Sequence, residues 1–278
     1  MTTWLSEGRT AVITGAAGGI GLEAARRFAA AGMNVAIADV KQDELAAAKN
    51  SLAEAGANII SVICDVSKLD ELHKLRDAAI EQFGAIHCLM NNAGIGRMGS
   101  KPWEDLDAFH QMININLMGV VHGCHAIIPS MLEHGEPGAV INTASKQGIT
   151  RPPGNYAYNL SKTGVLAYTE SVAHAFRNEE HCQLAAHLLI PGFVYTPMVS
   201  QFIPQKPPFA ATAEETVEFM MEALQRDEFY ILCPDHETPR ALDEKRIQWT
   251  ADDIIQNRPA LSRWHPDYAE AFDVFTKG

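Results

Sequence analysis

Basic residues and cysteines are both scarce in this chain of 278 residues. Lysine and arginine total 22 against 34 acidic residues, which gives a formal net charge of −12 at pH 7. Because nucleic-acid phosphates are bound by basic patches, we expect no nucleic-acid partner. The five cysteines include no Cys-x-x-Cys pair, and their odd number favours buried thiols in a reducing, cytoplasmic compartment over disulfides.

Long apolar runs, internal repeats and low-complexity tracts are also missing. No apolar stretch approaches the ~20 residues that a membrane-spanning helix needs, so we expect no membrane partner. His122 and His125 are three residues apart, but no third ligand follows at a suitable spacing, so we predict no metal site. With 47% hydrophobic residues, the composition is that of an ordinary globular protein.

Apolar runs of strand length alternate with helical patterns along the whole chain. Strands are predicted at residues 10–14, 34–38, 59–63, 86–90, 139–143, 184–190 and 229–232. Helices are predicted at residues 22–31, 43–54, 69–83, 108–132, 157–176 and 214–224. This alternation indicates an α/β fold: a single doubly wound domain over residues 1–278, with a parallel sheet of about seven strands and helices on both faces. Ligands of such sheets bind beyond the carboxyl ends of the strands.

A glycine-rich turn follows the first predicted strand. It reads Thr14-Gly15-Ala16-Ala17-Gly18-Gly19-Ile20-Gly21. Glycines there permit a tight turn and let a pyrophosphate approach backbone amides at the positive end of a helix. The spacing is Gly-x-x-x-Gly-x-Gly rather than the commoner Gly-x-Gly-x-x-Gly. With a strand before it and a helix after it, the turn predicts a dinucleotide site.

Asp39 ends the second predicted strand, 18 residues beyond Gly21. A carboxylate at this point accepts hydrogen bonds from the adenosine ribose hydroxyls and repels a 2′-phosphate. The alternative is that Asp39 only caps the helix that follows. Because Gly18 offers no charge to a 2′-phosphate, we predict that the cofactor is NAD rather than NADP, although Lys41 argues the other way.

Tyr158 and Lys162 lie four residues apart in a predicted helix, thirteen residues after Ser145. Side chains at i and i+4 share a helix face, so the ammonium lies close to the phenol. Beside a dinucleotide site, this pair indicates proton transfer coupled to hydride transfer. On its own the Tyr-x-x-x-Lys spacing is weak, and a surface tyrosine beside a solvated lysine remains the alternative.

In these motifs the chain resembles the short-chain dehydrogenase/reductase family, in its short single-domain branch with a Rossmann-type fold. The resemblance runs from about Thr10 to Thr196. It implies that Tyr158 is the general acid/base, and that Lys162, together with the nicotinamide, lowers its pKa and binds the nicotinamide ribose. It further implies that Ser145 polarises the substrate oxygen and that Asn116 anchors a water in the proton relay.

The resemblance also implies a set of cofactor contacts. They are Gly15, Gly19, Ile20, Gly21, Asp39, Asp65, Val66, Asn92, Tyr158, Lys162, Pro191, Val194 and Thr196. Asp65 and Val66 would contact adenine, and Val194 and Thr196 would fix the carboxamide. Plain turn chemistry is the alternative for Asp65, Val66 and Asn92.

The predicted activity is that of an NAD-dependent alcohol dehydrogenase or carbonyl reductase acting on a secondary alcohol or ketone. An epimerase or dehydratase on the same fold is one alternative, although those relatives usually carry a Gly-x-x-Gly-x-x-Gly turn. A catalytically silent NAD-binding sensor or scaffold is the other, although the tyrosine, lysine and serine are all present. A homodimer or homotetramer is expected, formed through the helices at residues 108–132 and 157–176.

The substrate is expected to be determined by residues 146–155, just before the catalytic helix, and by residues 195–212. The second segment, rich in proline, methionine and phenylalanine, suggests a lid (about 196–225) over an apolar pocket; a surface loop with incidental apolar residues is the alternative. Residues 234–278 form an extension beyond the family resemblance, too apolar for solvated coil, which we expect to pack against a neighbouring subunit or the substrate mouth. Arg97, Lys146 and Arg151 suit an anionic substrate, but a solvated rim is the favoured interpretation.

Overall fold

Seven strands form one parallel sheet in a computed structural model that describes residues 3–96 and 101–277. The strands of this sheet are β1 (Thr10–Thr14), β2 (Asn34–Asp39), β3 (Ile59–Ile63), β4 (Cys88–Asn91), β5 (Gly138–Thr143), β6 (Leu184–Ile190) and β9 (Tyr230–Leu232). Two short strands, β7 (Val194–Tyr195) and β8 (Ala211–Thr212), pair separately. The spatial order β3-β2-β1-β4-β5-β6-β9 reverses direction between β1 and β4. The α/β fold with a seven-stranded parallel sheet is therefore confirmed, and its crevice lies at the carboxyl ends of β1 and β4.

Helices cover both faces of the sheet. In the described residues they are α1 (Gly19–Ala30), α2 (Gln42–Glu54), α3 (Leu69–Phe83), α4 (Leu106–Ile113), α5 (Gly119–His134), α6 (Gln147–Thr150), α7 (Tyr156–Asn178), α8 (Pro197–Ser200), α9 (Ala213–Gln225), α10 (Arg240–Ile255) and α11 (Ala269–Lys277). Alternate residues of β1 point to opposite faces: Val12 lies in the core beneath α3, α5 and α7, and Ile13 in the core beneath α1, α2 and α9. Burial on both faces explains why the strands are continuously apolar.

The predicted helix at residues 108–132 is not regular. A π-helical segment, Asn114–Met118, joins α4 to α5, and α5 contains Pro129. By length and composition the combined segment Leu106–His134 could cross a membrane, contrary to the expectation from the apolar runs of the sequence. In this fold 44% of its apolar window is buried, with Val120 and Ile127 in the core beneath the sheet. The core helix of a soluble protein passes the same test.

The C-terminal extension is helical and packs on its own chain. Trp249 of α10 is 4% exposed, its ring lies edge-on to Phe272 of α11 at 5.2 Å, and its indole N–H donates to Ser262 at 2.8 Å. On its other side α10 packs against α6. The extension thus lies next to the segment that follows Ser145.

A buried histidine predicts how stability responds to acid. The Thr10 N–H donates to His87 Nδ1 at 3.1 Å, and burial, with the charges of Arg9 and His134, lowers the pKa of His87 from 6.5 to about 4. Between about pH 6.5 and 4 only the unfolded chain takes up this proton. The free energy of unfolding is therefore expected to fall by about 3 kcal/mol as the pH drops from 6.5 to 4. In His87→Asn an amide oxygen can accept the same bond without titrating, so urea denaturation should give a flatter pH profile. An equally steep profile would contradict this assignment.

Candidate active site

The glycine turn is held by contacts that leave no room for larger residues. Gly15 has φ +64°, and a Cβ added to it would lie 2.6 Å from Ala93 Cα. The helix α1 begins at Gly19 with no side-chain cap. Its first backbone N–H groups therefore form a site that suits an anion, and the cofactor's pyrophosphate fits this turn.

Asn92 joins the glycine turn to the end of β4. Its side-chain amide donates to the carbonyls of Thr14 and Gly15 at 3.2 and 3.1 Å. The Thr14 hydroxyl in turn accepts from the backbone N–H groups of Asn92 and Ala93 at 3.1 and 3.2 Å. These bonds fix the two strand ends on either side of the crevice. Thr14 and Ala93 were not among the predicted site residues, because their roles depend on contacts between strands that are distant in sequence.

Gly21→Ala is expected to damage both the fold and the cofactor site. The added Cβ would lie 2.6 Å from Asn92 Nδ2 and would also clash with the Gly15 carbonyl. Relieving this overlap should lower the free energy of unfolding by about 1–3 kcal/mol and weaken NAD binding in calorimetric titration. Gly56→Ala is the control for NAD affinity: a Cβ there meets nothing within 4 Å, but φ +89° strains any other residue, so it should lower stability and leave NAD binding unchanged. Equal NAD affinity in the wild type and Gly21→Ala would contradict the assignment.

Asp39 lies against the glycine turn. One carboxylate oxygen accepts from the Ala17 N–H at 3.1 Å, and the other from the Lys41 N–H at 3.1 Å. Each oxygen keeps a further lone pair for a ribose hydroxyl. Val40 and Lys41 are exposed beside it. Asp39 therefore orders the glycine turn. It does not cap α2, because the N-cap residue of that helix is Lys41, and its ribose contact stays a prediction.

Asp65 and Val66 both make contacts within the fold itself. Asp65 accepts from the backbone N–H and the hydroxyl of Ser67 at 3.0 and 2.7 Å. Burial raises the pKa of the Asp65 carboxyl, but the bonds from Ser67 and Lys68 outweigh it and hold the pKa below its usual value. The Val66 side chain is 5% exposed and packs in the core beside Gly119.

Ser145, Tyr158 and Lys162 come together at the carboxyl end of β5. The phenol of Tyr158 is hydrogen-bonded to the Ser145 hydroxyl, and Lys162 Nζ lies 5.8 Å from the centre of the tyrosine ring. The ammonium donates to the Thr143 carbonyl at 2.8 Å. The structure thus brings the three residues into one cluster, as the sequence predicts.

Burial perturbs both titrating groups of this cluster. It raises the pKa of Tyr158, with partial compensation from the Ser145 bond. It lowers the pKa of Lys162 from 10.5 to about 8. The chain alone therefore does not give the low tyrosine pKa that the family resemblance implies. That lowering requires the positive charge of a bound nicotinamide.

Asn116 lies in the π-helical segment, 0% exposed. Its side chain accepts from the Ile95 N–H at 2.8 Å and donates to the Ile95 carbonyl at 3.0 Å. A Cβ added to Gly94 would lie 3.3 Å from Asn116 Oδ1 and 3.8 Å from Lys162 Nζ. Asn116 and Lys162 therefore converge on the loop after β4. The amide N–H of Asn116 also donates to Met112 Sδ at 3.0 Å, and its predicted role in binding a water stays a prediction.

The segment after β6 closes against the glycine turn. Pro191 accepts from the Lys146 N–H at 3.0 Å, and Val194 pairs with Ala211 between β7 and β8. Thr196 precedes α8, and its side chain lies 3.2 Å from the position of a Cβ at Gly19. Asp39, Asn92, Asn116, Lys162 and Thr196 thus adjoin the glycine turn or the loop after β4, and the ligand contacts predicted for them stay predictions.

Two expectations about the rim require correction. Lys146 is not a solvated side chain: it is 13% exposed and pairs with Asp235 and Asp243 at 3.0 and 2.6 Å. Within the predicted lid, residues 213–225 form α9, whose Val217 and Met220 are fully buried in the core. Arg97 lies outside the described residues. No sequence signal identified the partners of Lys146, because they lie about ninety residues away in the extension.

Comparisons with known proteins agree with this geometry. The model of a family described as short chain dehydrogenase matches residues 9–207. A 1-deoxy-11-beta-hydroxypentalenate dehydrogenase of Streptomyces exfoliatus is 33% identical over 261 residues, covering 92% of this chain and 94% of the relative. A short chain dehydrogenase/reductase structure from Burkholderia phymatum in complex with NAD has a TM-score of 0.82 and 32% identity, covering 91% of this chain and 96% of that one. A variant actinorhodin polyketide ketoreductase with NADPH has a TM-score of 0.70 and 27% identity, over 80% and 91% of the two chains.

Proposed function

We propose that this chain, which belongs to the short chain dehydrogenase family, is an NAD-dependent oxidoreductase that interconverts a secondary alcohol and a ketone. The observation that carries the proposal is the cluster of Ser145, Tyr158 and Lys162 beside a glycine turn that suits a pyrophosphate. The curated relative from Streptomyces exfoliatus is itself named a dehydrogenase, which supports the reaction class.

The chain's own residues bind the cofactor and orient the substrate. Gly15, Gly19, Ile20 and Gly21 offer backbone amides to the pyrophosphate, and Val194 and Thr196 hold the nicotinamide end. Bound NAD supplies the hydride acceptor for the substrate carbon. Ser145 donates a hydrogen bond to the substrate oxygen and fixes its distance from Tyr158.

Tyr158 moves the proton. In alcohol oxidation its phenolate accepts the hydroxyl proton, and in ketone reduction its phenol returns it. Lys162 holds a positive charge near this oxygen and stabilises the phenolate. Asn116, held in the irregular helix by Ile95, keeps the main chain open for a water that carries the proton onward from Lys162.

Asp39 carries the proposed preference for NAD. A carboxylate bonded to the Ala17 N–H stands where a 2′-phosphate would approach the turn. Asp39→Ala combined with Val40→Arg is expected to raise kcat/KM with NADP tenfold or more, since removing a repulsion of about 1.4 kcal/mol gives a factor of ten. Steady-state kinetics with both cofactors test this; Val40→Arg alone is the control. NADP activity that stays negligible in the double variant would contradict the role of Asp39.

The substrate is proposed to be apolar and covered by residues 196–212. Met198 of α8 reaches the loop after β4, where its sulfur lies 3.2 Å from a Cβ position at Gly96. Phe209 packs edge-on against Phe193 at 5.2 Å. If this segment is a lid, cofactor and substrate together should slow its cleavage in limited proteolysis. Equal cleavage with and without ligands would contradict the lid.

A homodimer or homotetramer is proposed through α4, α5 and α7. Leu106 of α4 and Leu160 of α7 are 64% and 52% exposed, which is unusual for large apolar side chains on packed helices. Light scattering of the purified protein measures the assembly directly. A monomer at micromolar concentration would contradict the proposal.

The activity itself is tested by NADH formation with a panel of secondary alcohols that includes cyclic, aromatic, steroid and sugar-acid types. We expect turnover with NAD on at least the bulky cyclic members. NAD binding without turnover on the whole panel, in either direction, would favour the silent-binder alternative.

A further inference from the structure

Lys146 lies at the junction of three parts of the molecule. It follows Ser145 directly and precedes α6, and its backbone N–H donates to the Pro191 carbonyl at 3.0 Å. Its ammonium lies 3.0 Å from Asp235 Oδ2 and 2.6 Å from Asp243 Oδ2. The side chains of all three charged residues are at most 13% exposed. The lysine beside Ser145 is therefore held both by its backbone N–H and by its ammonium group.

Both aspartates belong to the C-terminal extension, but they anchor this lysine at different points of it. Asp243 belongs to α10. Asp235 follows β9 and lies against the Pro191–Gly192 turn, where a Cβ added to Gly192 would lie 2.5 Å from Asp235 Oδ2. That turn leads to Val194 and Thr196. The ammonium thus connects the extension with the serine segment and with the segment proposed to hold the nicotinamide.

The cluster extends beyond Lys146 and its two aspartates. Arg246 of α10 donates to the Thr238 hydroxyl at 3.1 Å and lies 4.0 Å from Asp243. Thr238 in turn donates its backbone N–H to the Asp235 carbonyl at 3.2 Å. Lys146, Asp235, Asp243 and Arg246 therefore share one site, and Arg263 is close enough to interact electrostatically with Arg246 and Asp243. Removing one charge leaves its partners unpaired away from water, so this cluster is sensitive to single substitutions.

We propose that Lys146, held between Asp235 and Asp243, is a positioning residue that couples the C-terminal extension to Ser145 and to the Pro191–Gly192 turn. The Ser145 hydroxyl accepts from the Gln147 N–H at 3.1 Å, so its orientation depends on the backbone on both sides of Lys146. The extension then stabilises the active site of its own chain. The proposal rests on the proposed function, because the positioning matters only if Ser145 acts on a substrate.

The test compares Lys146→Met with Lys146→Arg and with a matched control in the same extension. Arg258→Met breaks the pair of Arg258 with Asp253, at 3.0 Å and 10% and 12% exposed, and the bond of Arg258 to the Trp249 carbonyl at 2.7 Å. Neither contact involves the serine segment. We measure kcat, KM for NAD, and amide hydrogen exchange of residues 143–151. Lys146→Met is expected to lower kcat by up to about a hundredfold, as small misplacements of catalytic groups do, with a smaller change in KM. Lys146→Met should also speed amide hydrogen exchange of residues 143–151. Lys146→Arg should keep kcat and exchange close to wild type. Arg258→Met should change neither kcat nor exchange.

Lys146→Gln combined with Asp243→Asn keeps the charge balance and decides the question if Lys146→Met does not fold. A folded double variant with wild-type kcat and exchange would overturn the proposal, and so would an equal effect of Arg258→Met. If the wild type oxidises no alcohol but exchange responds as expected, the coupling stands and the proposed function is wrong. If the wild type is active and neither readout responds in the Lys146 variants, the coupling is wrong and the function stands.

Discussion

Tyr158→Phe is expected to lower kcat by about 10² to 10⁴, the usual contribution of general acid/base catalysis. The substitution removes only the phenolic oxygen, which is bonded to the Ser145 hydroxyl and is the group that exchanges the proton. The ring, its packing and its position beside Lys162 remain. NAD affinity and melting temperature should therefore change little, and steady-state kinetics with calorimetric titration separate the two effects.

Tyr156→Phe is the matched control for this experiment. It removes the same atom from the same helix, two residues earlier, where the hydroxyl donates to the Glu104 carbonyl at 3.1 Å. We expect it to keep kcat within about threefold of wild type, because a partly exposed hydrogen bond contributes only about 1 kcal/mol. A Tyr158→Phe enzyme as active as Tyr156→Phe would show that another group moves the proton.

Lys162→Met is expected to abolish most activity and yet stabilise the protein without cofactor. Lys162 is 4% exposed, and burial lowers its pKa from 10.5 to about 8, so holding its charge inside the fold costs about 3 kcal/mol at pH 7. The lost bond to the Thr143 carbonyl offsets about 1 kcal/mol of this gain. The free energy of unfolding at pH 7 should rise by about 2 kcal/mol, as measured by urea denaturation.

The stability gain of Lys162→Met should depend on pH in a direction that can be measured. Between about pH 8 and 10.5 the unfolded chain keeps the Lys162 proton and the folded chain loses it, so the wild type gains stability as the pH rises. The advantage of Lys162→Met should therefore shrink across that window. Lys74→Met, at an exposed lysine, is the control and should follow the wild type. A variant less stable than wild type at every pH would contradict the account of a buried charge.

The sheet and the main motifs were predictable because they depend on local sequence. Continuous apolar strands such as β1 and β6 could be read directly, and their observed bounds coincide with the predicted ones. The Tyr158 and Lys162 pair follows from helix periodicity alone. The glycine turn was equally predictable, because its positive φ angles at Gly15 and Gly19 suit glycine.

Contacts between distant segments account for what the sequence could not predict. The irregular helix around Asn116 arises where that side chain bonds to Ile95, twenty-one residues earlier. The sequence predicts Lys146 at a solvated rim, whereas in the fold Asp235, after β9, and Asp243 of α10 pair with its ammonium. Residues 213–225 were likewise assigned to the lid, because their sequence does not show that α9 packs with α1 in one core.

Hydride transfer to NAD with Tyr158 as the acid/base can be followed with an alcohol deuterated at its carbinol carbon. Purified protein should transfer one deuterium to the nicotinamide of NAD for each ketone formed, as seen by mass spectrometry, and Tyr158→Phe should suppress this transfer. Net inversion or dehydration of the alcohol without accumulation of deuterated NADH would contradict it and favour an epimerase or dehydratase.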